Sequence, residues 1–416
     1  MLDRRQLLIR TGLALAAGGA TARFADLEQV AAAPTADSAL GWDAVRAQFR
    51  LQRGLIHMGG LYLASHPAPV RRAIERHRRG LDADPVGYLH ARGDELEAEV
   101  LRAAGGYLRA RPADIALTDS TTMGLGLLYN GLDLRAGQEV VTTTHDFFAT
   151  HEALRLKAAR SGATVRQVPL YRDAARASKD EIVEAVRRAV GSRTRVVALT
   201  WVHSSTGVKL PVRAIVDALG RDRERLLVCV DGVHGLGVEN ATPGSLGCDF
   251  LIAGCHKWLF GPRGTGIVWG RPSAWPAATP TIPSFSGGTA GGQMTPGGFH
   301  SFEHRWALAE AFRFHGRIGK QRVEARIHAL NRRLKAGLAG MSHVTLITPR
   351  SDALSAGIVV FSVDRLSPGA VMAALRRRGI VATVTPYDPP HARLAPGLLN
   401  TAAEVDRVLA AIRALR

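Results

Sequence analysis

The chain has 416 residues, 46% of them apolar and 22% charged, with a formal net charge of +18. That length and composition fit a soluble globular protein of two or three domains, and three cysteines are too few for a disulfide framework. The charge raises nucleic acid or an anionic membrane as a partner, but the arginines are scattered. No basic tract or aromatic-interleaved motif accompanies them, so specific nucleic-acid binding is not expected, and no metal-type spacing is present.

In chain order, residues 1–33 read as an export signal. Arg4-Arg5 precede Leu7-Leu8, an apolar run follows from Thr11 to about Ala20, and small-residue sites stand at Ala20-Thr21-Ala22 and Ala31-Ala32-Ala33. The paired arginines resemble a twin-arginine signal, which predicts a periplasmic or extracytoplasmic location and the twin-arginine export machinery as a partner, the alternative being a buried or amphipathic N-terminal helix and a cytoplasmic location. The run is too short for a stable membrane span.

Residues 34–90 form an N-terminal arm and a helix. A Gly59-Gly60 turn, Pro67 and Pro69 lead into a pattern carrying Val70 and Ile74. Residues 91–300 hold the larger domain, opening on a helical pattern over 95–108. A short strand from Ile115 then meets Ser120-Thr121-Thr122 at the start of a glycine-punctuated helix. Free N–H groups and the helix dipole favour an anion such as phosphate there, although plain N-capping needs only one hydroxyl. Strand patterns follow from 139, over 164–170 and over 195–201, with helical ones over 149–161, 180–190 and 211–219. The first of these strands leads into His145-Asp146-Phe147-Phe148, and the third into Val202-His203-Ser204-Ser205-Thr206-Gly207. This alternation predicts an α/β fold with a mostly parallel, doubly wound sheet.

Two further apolar runs of strand length carry the chemistry. Residues 226–230 end on Asp231, and residues 250–255 end on His256-Lys257. Ligands of open α/β sheets collect at the carboxyl ends of strands. Of the 54 basic residues only six are lysines (157, 179, 209, 257, 320 and 335), so Lys257 stands where a general cation would be arginine. Arginine cannot serve as an imine-forming amine. The pair therefore suits a Schiff base between Lys257 and a carbonyl cofactor, with Asp231 on a protonated ring nitrogen. The plainer alternative is a strand-end lysine that snorkels to solvent. Cys229 and Cys255, inside apolar runs, read as small buried hydrophobes.

Glycine and proline dominate residues 271–298, a loop long enough to expect a functional role. Residues 301–416 open on Phe302-Glu303-His304-Arg305-Trp306 and a helix expected to run to about Leu338. Strands over 357–363 and 380–385, a helix over 368–378 and a last helix from Ala402 predict a smaller α+β domain.

The stretches VDGVHGLG and GCHKWLFGPRGTG resemble the class V aminotransferase family of fold-type I pyridoxal 5'-phosphate (PLP) enzymes, over nearly all the chain from about Leu55. The isopenicillin N epimerase-like branch is the most similar. The resemblance implies catalytic roles for Lys257, Asp231 and His234, with Lys257 bonded to PLP and shuttling the α-proton, Asp231 on the pyridine nitrogen and His234 near the ring. It implies phosphate contacts from Thr121, Thr122 and His256, stacking by Phe147 or Phe148 with Phe147 favoured, and a cofactor-side position for His203. Arg393 matches the arginine that binds a substrate carboxylate. An amino acid substrate, a homodimer and an epimerase or aminotransferase reaction are implied as well, with lyase or desulfurase-like β-elimination and a non-catalytic PLP-fold protein as alternatives. Three departures stand out. Met58 replaces a frequent Asn, Arg305-Trp306 replace a Gly-Thr that reaches the neighbouring subunit's phosphate, and no cysteine follows Cys255. Gly287-Gly288-Thr289 or Thr265 are the expected substitutes in the phosphate cup.

Overall fold

The structure is a computed structural model that describes residues 40–415 except Arg53, Arg221, Asp222 and Glu224. The signal expected over residues 1–33 lies outside the described residues. After a short helix, Trp42–Ala47, the chain forms the two-residue strand β1 (Ile56–His57). Pro67 caps the helix Ala68–Ala83. The next helix, Pro85–Leu108, begins well before the expected position 95, because Asp84 accepts the Gly87 amide at 2.9 Å and Pro85 sits at the first helical position. An Asx cap followed by proline starts a helix regardless of where its apolar stripe begins.

Seven strands make the large sheet: β2 (Ile115–Thr118), β3 (Glu139–Thr143), β4 (Thr164–Val168), β5 (Thr194–Thr200), β6 (Leu227–Asp231), β7 (Phe250–Gly254) and β8 (Gly266–Gly270). Their order is β2-β8-β7-β6-β5-β3-β4. Every pair is parallel except those made by β8, which runs antiparallel to both β2 and β7. The pattern of residues gave no expectation of β8, whose sequence Gly-Ile-Val-Trp-Gly is five residues bracketed by glycines. Side chains alternate between the sheet's faces. Val197, Leu199, Val228, Val230, Leu251 and Ala253 join one apolar cluster, while Val196, Ala198, Cys229, Phe250 and Ile252 join another. Helices cover both faces, which is why these strands read as continuous apolar runs.

The long helix expected to run from Phe302 to about Leu338 is two helices, Phe302–Ile318 and Lys320–Ala339. Gly319 separates them with φ of +91°, a conformation open to glycine and costly for other residues. Beyond them lie β9 (Val344–Leu346), β10 (Val359–Val363), the helix Pro368–Arg377, and the strands β11 (Ile380–Val381), β12 (Thr383–Val384) and β13 (Ala392–Leu394). The expected strand over 380–385 is thus split between two sheets. β11 pairs with β1, and β12 enters an antiparallel sheet of order β12-β13-β10-β9. In that sheet Arg393 stands between Val360 and Thr383, at its centre. The smaller domain has its own core, with Leu334, Phe361, Leu375 and Leu394 packed together and Met58 of the N-terminal arm buried among them.

Candidate active site

The site gathers where the central strands end. Asp231 is the last residue of β6 and is registered between Thr200 of β5 and Ile252 of β7. It is 2% exposed, and its Oδ1 accepts the Val233 amide at 3.0 Å. Burial pushes its carboxyl up to about 6, opposed by the Val233 hydrogen bond and the charge of Lys257, and aided by the nearby Asp146. Lys257 follows β7. Burial, with a smaller contribution from Arg393, brings its ammonium down to about 8, while Asp231 holds it up. An amine poised this close to neutrality is a usable nucleophile and base.

His234 lies in the turn after β6, buried, with its Nδ1 accepting the Trp258 indole N–H at 3.2 Å. Burial holds it well below the usual imidazole range, with Lys257 and Arg393 acting the same way, so it stands neutral. Trp258, the neighbour of Lys257, is held in a glycine-lined slot. A Cβ on Gly357 would stand 2.6 Å from its ring and one on Gly397 3.6 Å away.

At the opposite end is the start of the helix Thr121–Gly131. Ser120 caps it by accepting the Met123 amide at 3.1 Å. The Thr121 hydroxyl accepts the Gly254 amide at 2.8 Å and ties the helix to the end of β7. Gly254 leaves a cradle, since a Cβ there would meet His256 Cε1 and Thr121 Oγ1 at 2.9 Å each. Thr122 is exposed at the mouth. The buried Nδ1 of His256 has no hydrogen-bond partner. Helix amides, free hydroxyls and an orphaned imidazole nitrogen form a donor set suited to a phosphate. The expected substitutes in the cup make contacts of their own. Thr265 donates to the Pro262 carbonyl at 2.5 Å, and Thr289 caps the helix Ala290–Met294.

Phe147 and Phe148 separate clearly. Phe148 is 65% exposed, whereas Phe147 is half-buried against one of the sheet's apolar clusters and meets the Tyr387 ring edge-on at 6.4 Å. The preceding Asp146 is a fastener. It accepts the Thr142 hydroxyl at 2.6 Å, the Thr143 amide at 2.7 Å and the Thr200 amide at 2.8 Å, joining the ends of β3 and β5. His203 lies in a buried stack with Tyr171 and His145, its Nδ1 2.9 Å from the Tyr171 hydroxyl. Its neighbour Ser204 makes the contacts toward the small domain: the hydroxyl lies 2.8 Å from Tyr387 Oη, and the carbonyl accepts Arg393 Nη1 at 2.9 Å.

Arg393 is 2% exposed. Its guanidinium bonds the Ser204 carbonyl and, through Nε, the Thr383 hydroxyl at 3.0 Å. Among the described residues no carboxylate stands within ion-pair distance. Burial lowers it to about 10 against the support of Tyr387 and Tyr62. A buried cation with only neutral partners is strongly disfavoured unless an anion completes it, and a guanidinium matches a carboxylate in shape. Ser204 and Tyr387 had not been singled out in the sequence. Ser204 was visible only as one of several hydroxyls after a strand, and Tyr387 sits in a loop without periodicity.

A profile of the class-V aminotransferases matches residues 98–384. The chain belongs to that family. It is 27% identical over 408 residues to the isopenicillin N epimerase of Amycolatopsis lactamdurans, covering 91% of this chain and 99% of the other. A probable cysteine desulfurase of Pseudomonas aeruginosa is also 27% identical, over 86% of this chain and 93% of its own. Among solved structures, a C-DES variant with glycine covalently linked to its PLP cofactor aligns with a TM-score of 0.81. That alignment is at 22% identity over 89% of this chain and 99% of the other. This member of the class-V family is a PLP-dependent enzyme of the fold-type I architecture, and the donor set described above fits its cofactor.

Proposed function

We propose that this enzyme inverts the α-carbon of an amino acid or an amino-acid-derived substrate. When bound, PLP withdraws electrons from an amine joined to it and so acidifies the α C–H bond. The remaining roles fall to the chain. Thr121, Thr122, His256 and the helix amides would seat the phosphate, and Phe147 would supply an aromatic face for the ring. Asp231 holds the ring nitrogen's proton, and its raised affinity for protons suits sharing one. The neutral His234 would add no charge to compete with that bond. Arg393 takes the substrate carboxylate, and Lys257 removes the α-proton.

The observation that carries this reading is the placement of Lys257 and Asp231 after the adjacent strands β7 and β6, where each shifts the other's proton affinity and the charge of the buried Arg393 also acts on Lys257. The extent of the likeness to isopenicillin N epimerases supports inversion. The second reading, β-elimination from a sulfur amino acid, is supported by the desulfurase relatives. A persulfide route on the enzyme is disfavoured, because all three cysteines are buried and burial pushes each thiol up, Cys248 to about 12. The reactive species would be an accessible thiolate.

The test is to incubate PLP-loaded protein with the chiral proteinogenic L-amino acids and with L-cystine, scoring D-isomer, sulfide and keto acid. D-isomer is expected. Sulfide with keto acid and no D-isomer would establish the lyase reading instead.

Two copies of the chain are also proposed to associate. Phe285 and Phe299 on the glycine-rich loop are more than half exposed, and sedimentation should give the dimer mass. Export through the twin-arginine route is proposed from Arg4-Arg5, to be tested by fractionating cells that express the full chain.

A further inference from the structure

We propose that Tyr387 is the second proton-carrying residue of the site, delivering a proton to the α-carbon from the flank opposite Lys257. This rests on the epimerase reading above. Inversion requires that a proton leave one side of the carbon and arrive on the other. A lysine anchored at a strand end serves one side, so a second group is needed.

The strand order locates it. β7 carries Lys257, β6 carries Asp231, and β5 and β3 lead to Ser204 and Phe147. Lys257 therefore stands on one flank of Asp231, with Ser204 and Phe147 on the other. Tyr387 joins that second flank from the small domain. Its hydroxyl is 2.8 Å from Ser204 Oγ, and its ring is edge-on to Phe147 at 6.4 Å. Arg393, which would hold the carboxylate, donates to the carbonyl of the same Ser204 at 2.9 Å. The charge of Arg393 is felt at both Lys257 and Tyr387. A substrate anchored on Arg393 thus has an amine on one side and a phenol on the other.

Burial pushes the Tyr387 hydroxyl up to about 12, so it is protonated and ready to donate at neutral pH. Among the described residues, the groups facing this flank are neutral apart from Arg393, Asp146 and Asp231. Tyr171 and His203 are occupied with each other. In the step itself, the α C–H bond breaks with its proton passing to Lys257 Nζ and its electron pair remaining at carbon. The Tyr387 O–H bond breaks, and its proton bonds to that pair from the other flank. Ser204 Oγ–H passes its proton to the tyrosinate and regains one from solvent, and Lys257 Nζ releases the proton it took to solvent. No net proton is consumed.

The test compares wild type, Tyr387→Phe and Ser204→Ala in deuterium oxide, on the amino acid that wild type inverts fastest. Three quantities are read: α-deuterium incorporation with retention, incorporation with inversion, and cofactor affinity from absorbance titration of cofactor-free protein. Tyr387→Phe is expected to depress inversion about 100-fold more than retention-type exchange, the usual contribution of a positioned acid, with unchanged cofactor affinity. Ser204→Ala should depress the same ratio by a smaller factor. Equal inversion by Tyr387→Phe and wild type would overturn the proposal alone. So would a proportional fall in inversion, exchange and cofactor affinity, since that marks a structural residue. A wild type that inverts no amino acid would overturn the epimerase reading and this proposal together.

Discussion

The two anion sites of the cleft are built on opposite principles. At the Thr121 end, an anion meets dipoles: helix amides, hydroxyls and a neutral imidazole, held by a hydrogen bond from Gly254 and partly open to water. At the Arg393 end, it meets a full charge that is buried and has only neutral partners. Neutral dipoles, even with the His256 Nδ1 left unpaired, tolerate an empty site at smaller cost than an unmatched buried charge does. The first arrangement suits a cofactor that stays, and the second a substrate whose arrival must matter.

The largest expected effect tests what lies between the two ends. Lys257→Ala removes the proton carrier and neither anion site, so turnover should fall on the order of 1,000-fold or more. The cofactor should still bind noncovalently, and its complete loss on gel filtration would mean the Thr121 end cannot hold it unaided. Asp231→Ala should cost more activity than His234→Ala, because only Asp231 carries the charge that keeps a ring proton in place. Equal losses would contradict that division.

Arg393→Ala isolates the charged end. Loss of a desolvated, charge-assisted partner should weaken amino acid binding about 100-fold, with cofactor affinity unchanged. Titrating the cofactor's absorbance with amino acid gives both numbers. Thr121→Val isolates the dipolar end, and cofactor affinity should fall about 10-fold, the scale of one hydrogen bond to a charged group, while substrate affinity in the loaded enzyme holds. If either variant moved both affinities together, the two ends would not be independent.

The smallest effect is one of pH. Burial lowers Lys257 from 10.5 to about 8. In the cofactor-free protein the neutral amine is therefore favoured above about 8, and the ammonium costs stability as pH falls through that value. The rate of cofactor capture, followed by stopped-flow absorbance, should rise with pH and level off above about 8. A rise continuing toward 10.5 would place the amine in water.

Much of this was legible in the sequence, and the reasons for the rest are local. β6 and β7 announced themselves as apolar runs because both faces of the sheet are covered. Lys257 stood out because the chain uses arginine elsewhere. β8 did not, since five residues between glycines look like any turn until β2 and β7 are there to pair with it. The break at Gly319 was hidden by apolar periodicity on both sides. Arg393 was found only through the family resemblance, its burial being set by strands distant in sequence. Tyr387 was missed because its partners, Ser204 and Phe147, are brought to it by tertiary contact.

The slot around Trp258 has a consequence beyond packing. Its indole is pinned by glycines of the small domain, its N–H orients His234, and its backbone is bonded directly to that of Lys257. The C-terminal domain thus acts as a fulcrum for the reactive amine. Adding a single methyl at Gly357 would press on the Trp258 ring, which offers a way to retune the lysine from outside its own segment.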